Sequence, residues 1–385
     1  MERRVSTTSI DGLEFGFLPK EPPLTRLPPH FELFDEFVGK LPLLLKDPQL
    51  VKITVDDLPM MTVSDLPADQ SARAFLVYGL ITNALVHSVE ERPIIIPAQL
   101  SQPFCLLADS FGMKPILSYY LYTLLNWELK NKSKGIVHEN IKVINPFSGT
   151  PDEDWFVATH VTTEHAAIPA IHGLLGARQA LKAGSDAQIT AHLQKAVEAL
   201  PKMAQTIERM TEGTKRKVFV KHIRPYFMSY ERVIYEGVEQ FGGKPQSFNG
   251  TTAAQSSILP LFDAALGVEH KPTPMTVHIN TMKQYMPRHH RNHINRAKSS
   301  RRPLREHINN SGSEELKQLY DMCILGLHEF RDSHMKIVMH YLGEDATSGE
   351  GTGGTKPFIT WLEQLKRETL QALLLPHNRE EYGLQ

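Results

Sequence analysis

Cysteine is scarce in this chain. Cys105 and Cys323 are its only two among 385 residues, too few and too far apart for a disulfide framework or a CxxC zinc spacing. A reducing, cytoplasmic setting is therefore expected. Long hydrophobic runs are missing as well: no stretch approaches the roughly 20 apolar residues that span a bilayer, and the basic start "MERRVSTTSIDGLEFG" has no apolar segment behind it, so neither a membrane span nor a secretory leader is expected. Nor is there an excess of charge. Lys and Arg number 42 against 43 Asp and Glu, a formal net charge of −1, which argues against nucleic acid or an anionic membrane as the main partner and leaves a small molecule. Alternating strand patterns are thin, with "VKITVDD" (51–57) and "HENIKVINPF" (138–147) as the only short candidates.

What is present is helix after helix, and hydrophobic residues at 41% suffice for a large core. The first forty residues are proline-rich and read as an extended arm. "SARAFLVYGLITNALVHSV" (71–89) and "GMKPILSYYLYTLLNWELKN" (112–131) carry apolar residues at helical spacing. Beyond 151 a helix broken at Pro169 stops at Gly184, "SDAQ" (185–188) opens the next, to about Met210, and "KHIRPYFMSYERVIYEGV" starts another near Pro225. The longest helix runs from the "SGSE" cap at 311 to Leu342, and "ITWLEQLKRETLQALLLP" closes the chain.

Several segments carry candidate chemistry. In "EFRDSHMKIVMHYL" (329–342), His334 shares an apolar stripe with Phe330, Ile337, Val338 and Tyr341, whereas His340 lies with Asp332 and Lys336 on a polar face. An imidazole in such a stripe is either a core histidine bonded to a carbonyl or a metal or haem ligand. "HVTTEH" sets His160 and Glu164 four apart with His165 adjacent, a spacing that could seat zinc or non-haem iron with a further ligand. Phe156, one turn before His160, makes the same face an aromatic and polar pocket wall. In "RPYFMSYERVIYEG", Arg232 beside Phe227, Met228 and Tyr235 suggests a carboxylate clamp flanked by aromatics, or else a surface arginine with a packed stem. "GEGTGG" matches GxGxxG but follows a helix, so it is a connector or a mobile lid and no dinucleotide loop. The basic run 288–307 reads as a solvated helix and turn.

Taken in order, four segments resemble the indoleamine 2,3-dioxygenase family, haem enzymes that open the indole ring of tryptophan with O2. "GTTAAQSSILPLFD" (250–263) resembles its GGSAGQSS signature, "MKQYMPRHHR" (282–291) its MRxYMPxxxR signature, "FRDSHMKIV" the helix bearing the proximal haem ligand, and "GTGGT" (351–355) the active-site loop. The resemblance spans roughly residues 110–380. It implies a mainly α fold, with an N-terminal arm and small α domain with minor β over 1–115 and a large all-helical haem domain over 116–385. It also implies one haem b per chain, held axially by His334, with Arg331, Asp263 and Ala253 in the haem's neighbourhood. Tyr119, Phe156 and Phe227 would line the indole pocket, Arg232 would bind the substrate carboxylate, Thr252 would lie in the segment over the haem, and Thr355 would close on the amino-acid end. Partners would be L-tryptophan or a related indoleamine, O2, and an electron donor that keeps the iron ferrous.

The chain departs from the animal members of that family at several points. His160 stands where they carry serine, and an imidazole there could accept the indole N–H. Thr251, Thr252 and Ala254 alter the signature, and Tyr122 and Tyr235 replace a cysteine and a leucine in the pocket. Three rival readings share these residues: a non-catalytic haem protein that carries O2 or senses haem, a non-haem metal hydrolase or oxygenase built on His160, Glu164 and His165, and a haem ligated by Cys323.

Overall fold

The computed structural model describes residues 12–89, 93–299, 303–343, 352 and 358–384. It is 66% helical with 5% strand, a mainly α fold as expected. The helices that matter here are α1 (Glu32–Gly39), α2 (Pro48–Asp56), α3 (Ala68–Ser88), α4 (Ala98–Phe111), α5 (Pro151–Ala166), α6 (Ile168–Ala183), α7 (Asp186–Glu208), α8 (Ile258–Leu266), α9 (Arg288–Lys298), α10 (Glu314–Leu342), α11 (Phe358–Leu370) and α12 (Pro376–Glu381). Two small sheets complement them. β1 (Ile94–Ile96) pairs in parallel with β4 (Tyr230–Tyr235), which pairs antiparallel with β5 (Gln246–Phe248), while β2 (Trp127–Leu129) pairs antiparallel with β3 (Ile141–Val143). Buried apolar residues from Leu13 to Leu373 join one continuous core.

Local chemistry sets the boundaries of these helices. Ser185 caps α7 by accepting from the Gln188 N–H, Ser313 caps α10 by accepting from the Leu316 N–H, and Gly184 ends α6 with a left-handed φ of 71°. Close approach of helices is fixed by glycine. A Cβ at Gly173 of α6 would lie 2.6 Å from the His192 carbonyl oxygen of α7, and one at Gly326 of α10 would lie 2.8 Å from Leu200 Cβ of α7. These positions let α6, α7 and α10 pack backbone to backbone and bring α10 under the site.

Three local expectations give way. "VKITVDD" forms most of helix α2, because Asp47 caps it by accepting from the Gln49 N–H and Pro48 takes the first helical position. The 112–131 segment makes only one π-helical turn, Tyr120–Leu124, before turning into β2. The segment after Pro225 is a short 3-10 turn, Arg224–Phe227, followed by strand β4 rather than a helix, since β1 and β5 offer that strand partners on both sides.

The C-terminal segment is anchored to α10 by one carboxylate. Asp321, fully buried, accepts from the Leu374 N–H at 2.8 Å, the Leu375 N–H at 3.0 Å and Asn378 Nδ2 at 2.8 Å. Asp321→Ala would strand three donors in the interior, and we expect a loss of about 3 kcal/mol, read from the denaturant midpoint.

Candidate functional site

Helix α5 presents Phe156, His160 and Glu164 along one stripe, each four residues from the next. The His160 Nδ1 lies 2.9 Å from the Phe156 carbonyl oxygen. A carbonyl only accepts, so Nδ1 carries the hydrogen, and Nε2 of the neutral ring keeps its lone pair. The ring is neutral because burial pulls its pKa down to about 4. Aromatic rings surround it: Phe156 at 4.6 Å and Tyr119 edge-on at 5.7 Å between centroids. Phe227 continues this wall at 5.7 Å from Phe156 and 5.0 Å from Tyr122, and Phe219 lies 5.2 Å from Phe156.

His334 reaches the same region from α10. It is surrounded by protein and keeps some accessible surface. Burial holds its imidazole down at about 4, and the nearby His160 pushes in the same direction. Both imidazoles are thus neutral at physiological pH. Among the described residues none hydrogen-bonds the His334 ring, so the core-histidine reading, which requires a carbonyl partner, loses its support. His340, as its polar neighbours imply, is exposed.

One turn before His334 lies an ionic network. Arg331 Nη2 makes a fork to Asp263, 2.8 Å to Oδ1 and 2.7 Å to Oδ2, and Nη1 donates to Thr369. Asp263 also meets His270 at 3.2 Å, and His270 meets Glu368 at 2.8 Å. The Asp263 carboxyl sits below its usual range; burial alone would raise it, but the Arg331 guanidinium and His270 outweigh that. Arg331 Nε is buried and has no partner among the described residues.

The segment 250–257 runs beside Tyr119 and Phe227 and is pinned at several points. Gly250 is obligatory there, since a Cβ would lie 2.0 Å from the Phe227 carbonyl oxygen. Gln255 accepts from the Tyr119 N–H at 2.9 Å and donates to the Gly250 carbonyl at 2.8 Å. Thr252 caps a short 3-10 turn starting at Ala253, and both residues are half-buried. Thr352 docks here, its carbonyl accepting from the Gly250 N–H and the Ser229 hydroxyl, each at 3.1 Å. Thr355 lies outside the described residues.

Arg232 lies at the surface, outside the buried part of the aromatic wall. It is exposed on β4, where the pairing with β5 shifts register between Tyr230 and Val233, and its φ of 54° is left-handed. Such strain in a non-glycine residue costs about 1 to 3 kcal/mol and concentrates where a bulge re-aims a side chain. Of the two larger residues noted in the pocket, Tyr122 donates to the buried Glu153 and Tyr235 donates to the Pro115 carbonyl at 2.6 Å. Both hydroxyls are therefore spoken for.

The rival metal sets do not assemble. His165 is exposed while His160 and Glu164 are buried, and among the described residues no group of three His, Cys, Asp or Glu side chains could hold a metal ion. Cys323 is fully buried within α10, its thiol 3.9 Å from the Leu193 carbonyl oxygen, and burial pushes that thiol up to about 12. A surface hollow of about 520 Å³ lined by Asp109, Lys114, Arg288 and Arg291 shares no residue with the His160 and His334 region. Composition and periodicity gave no sign of Gln255, Ser256 or Thr369. Their partners lie 136, 92 and 38 positions away, and only folding brings them together.

Among the described residues no helix is long and apolar enough to cross a membrane. Comparison with known proteins is consistent along the chain. The family model for indoleamine 2,3-dioxygenase matches residues 10–348. The chain is 29% identical to mouse (Mus musculus) indoleamine 2,3-dioxygenase 1, covering 91% of this chain and 92% of that protein. It is 28% identical to the indoleamine 2,3-dioxygenase of Saccharomyces cerevisiae over 89% of this chain and 81% of that one. A 6-hydroxytryptophan 2,3-dioxygenase of Fusarium equiseti is 26% identical, with 94% and 96% covered. A match over most of the length, on a mainly α fold, places the chain in the indoleamine 2,3-dioxygenase family of oxidoreductases.

Proposed function

We propose that this dioxygenase binds one haem b through His334 and opens the 2,3-bond of the indole ring of L-tryptophan or a related indoleamine, both atoms of O2 entering N-formylkynurenine. The observation that carries this reading is that His334, neutral and without a hydrogen-bond partner among the described residues, lies near His160 and the aromatic rings around it. The residues fit a haem: a neutral imidazole suits iron, and the buried, unpartnered Nε of Arg331 is a cationic donor suited to a propionate, with Asp263 holding that guanidinium in place. When bound, the haem supplies the redox chemistry with O2, and an electron donor keeps its iron ferrous.

The chain's own residues bind, orient and exclude water. Tyr119, Phe156 and Phe227 flank the indole with apolar surface. His160 Nε2, left as an acceptor by the Nδ1 bond to Phe156, takes the indole N–H. Thr252 and Ala253 form the edge over the cofactor, and Thr355, which lies outside the described residues, is assigned to the substrate's amino-acid end by the family resemblance alone. Arg232 takes the substrate carboxylate. A cytoplasmic setting fits the two unpaired, buried cysteines.

The test is a visible spectrum of the purified protein, followed by incubation of the reduced protein with tryptophan. An intense Soret band and accumulation of the formylated product are expected. Haem uptake without product would turn the reading into that of an O2 carrier or haem sensor, and no haem uptake would end it.

Arg232→Lys tests the clamp. Lysine keeps the charge but cannot make the planar fork, so we expect KM for tryptophan to rise about tenfold with haem content unchanged. A KM within twofold of the parent would remove Arg232 from the carboxylate site.

A further inference from the structure

Four residues beyond His160 on the same stripe of α5, Glu164 is 1% exposed. Its Oε1 accepts two hydrogen bonds, from the Tyr119 hydroxyl at 3.1 Å and from the Ser256 hydroxyl at 2.9 Å. Its Oε2 is buried with no partner among the described residues. These two donors come from the segments that frame the pocket. Tyr119 is also held at its backbone by Gln255, and its ring stands edge-on to His160 at 68°. A contact path thus runs from the carboxyl through the Tyr119 ring to the imidazole, within one layer of side chains.

We propose that Glu164 is a positioning residue for substrate binding: by taking the Tyr119 and Ser256 hydroxyls on one oxygen, it fixes the Tyr119 ring against His160 and ties that wall to the segment 252–257. This inference rests on the functional reading above and deepens it. Glu164 acts through Tyr119, so its removal loosens the geometry of the indole acceptor while leaving the proximal side, built on α10, in place.

The carboxyl also couples this wall to protons. Both hydroxyls arrive at Oε1, so a proton on the acid sits at Oε2, and burial pushes the group up to about 7. Above that pH the ionised form holds both hydroxyls by charge-assisted bonds, which are the stronger kind. The groups facing it are Tyr119 and Ser256 from the neighbouring segments and His160 on its own helix. Burial and the adjacent Glu164 keep the Tyr119 hydroxyl well above its usual range, and His160 stays down at about 4, so neither titrates between pH 6 and 8. No charged side chain pairs with Glu164 among the described residues.

Substrate binding to the ferric, haem-loaded protein, read from the tryptophan-dependent shift of the Soret band, tests the proposal. Glu164→Ala and Tyr119→Phe are each expected to raise Kd about tenfold, and the double variant no further, since both cut one path. Glu164→Gln keeps the acceptor oxygen and mimics the neutral acid. It should bind within threefold of the parent at pH 6 and show a flat Kd from pH 6 to 8, where the parent tightens. In the haem-free protein, both single substitutions should shift the His160 ring signals in the NMR spectrum.

Additive effects in the double variant, or an unchanged Kd in Glu164→Ala, would overturn the inference. If Glu164→Ala does not fold, Tyr119→Phe with a parental Kd, or Glu164→Gln with the parent's pH dependence, would overturn it equally. A parent that shows no shift with tryptophan at all would instead overturn the functional reading, and this inference with it.

Discussion

His334→Ala should yield a folded protein that retains no haem after purification, read as loss of the Soret band with an unchanged far-ultraviolet circular dichroism spectrum. The reasoning begins with what the ring does in the fold. It makes no hydrogen bond among the described residues, it is neutral, and it keeps accessible surface although protein surrounds it. Removing it therefore takes away little packing, and a stability loss within about 1 to 2 kcal/mol is expected. For the cofactor the loss is larger. In the proposed site the His334 imidazole would hold the iron, and the Arg331–Asp263 pair would contribute only charge toward a haem propionate. A variant that kept the parent's Soret band would show that another side chain holds the iron.

The same helix shows how far a sequence can be read. α10 was legible because its apolar stripe is long, its serine cap is local, and the polar row of Asp332 and Lys336 forms an ion pair at 2.9 Å on the opposite face. Placing His334 inward required nothing more than this periodicity. Its chemistry did not follow from periodicity, because a core histidine and an iron ligand occupy the same stripe; the proposal of an iron ligand rests on four ordered segments that resemble one family. β4 was not legible. Its partners Ile94–Ile96 and Gln246–Phe248 are short, and the first lies far off in the chain, so nothing local announced a strand where aromatic residues at helical spacing stood. Arg232 consequently sits, itself exposed, at the register shift of a central strand rather than on a helix face. Glu164 was legible as a residue near His160 but not as the acceptor of the Tyr119 and Ser256 hydroxyls, since those bonds span 45 and 92 positions.

His160→Ala should retain haem and lose most of its turnover, with kcat/KM for tryptophan falling about a hundredfold. Two losses combine. The imidazole fills space between Phe156 and Tyr119, so its removal opens the wall at the point where the indole is to be held. It also removes the one acceptor whose lone pair the Nδ1 bond to Phe156 leaves free, and an indole N–H then enters an apolar pocket without a partner, a penalty of about 1 to 3 kcal/mol. Serine in its place would restore an acceptor but neither the reach nor the contact with Tyr119, and should recover only part of the loss. The acceptor argument also fixes the pH behaviour. Below the unfolded value of about 6.5 an ordinary histidine would gain a proton, whereas this one is depressed to about 4. Acid therefore should not abolish the acceptor until the pH nears 4, while the folded state loses stability as pH falls from about 6.5 toward 4, because unfolding frees the ring to take up the proton. A His160 ring that titrates near 6.5, read from its own signals in the NMR spectrum of the haem-free protein, would mean that it sits in water-exposed surroundings, and would remove it from the indole site.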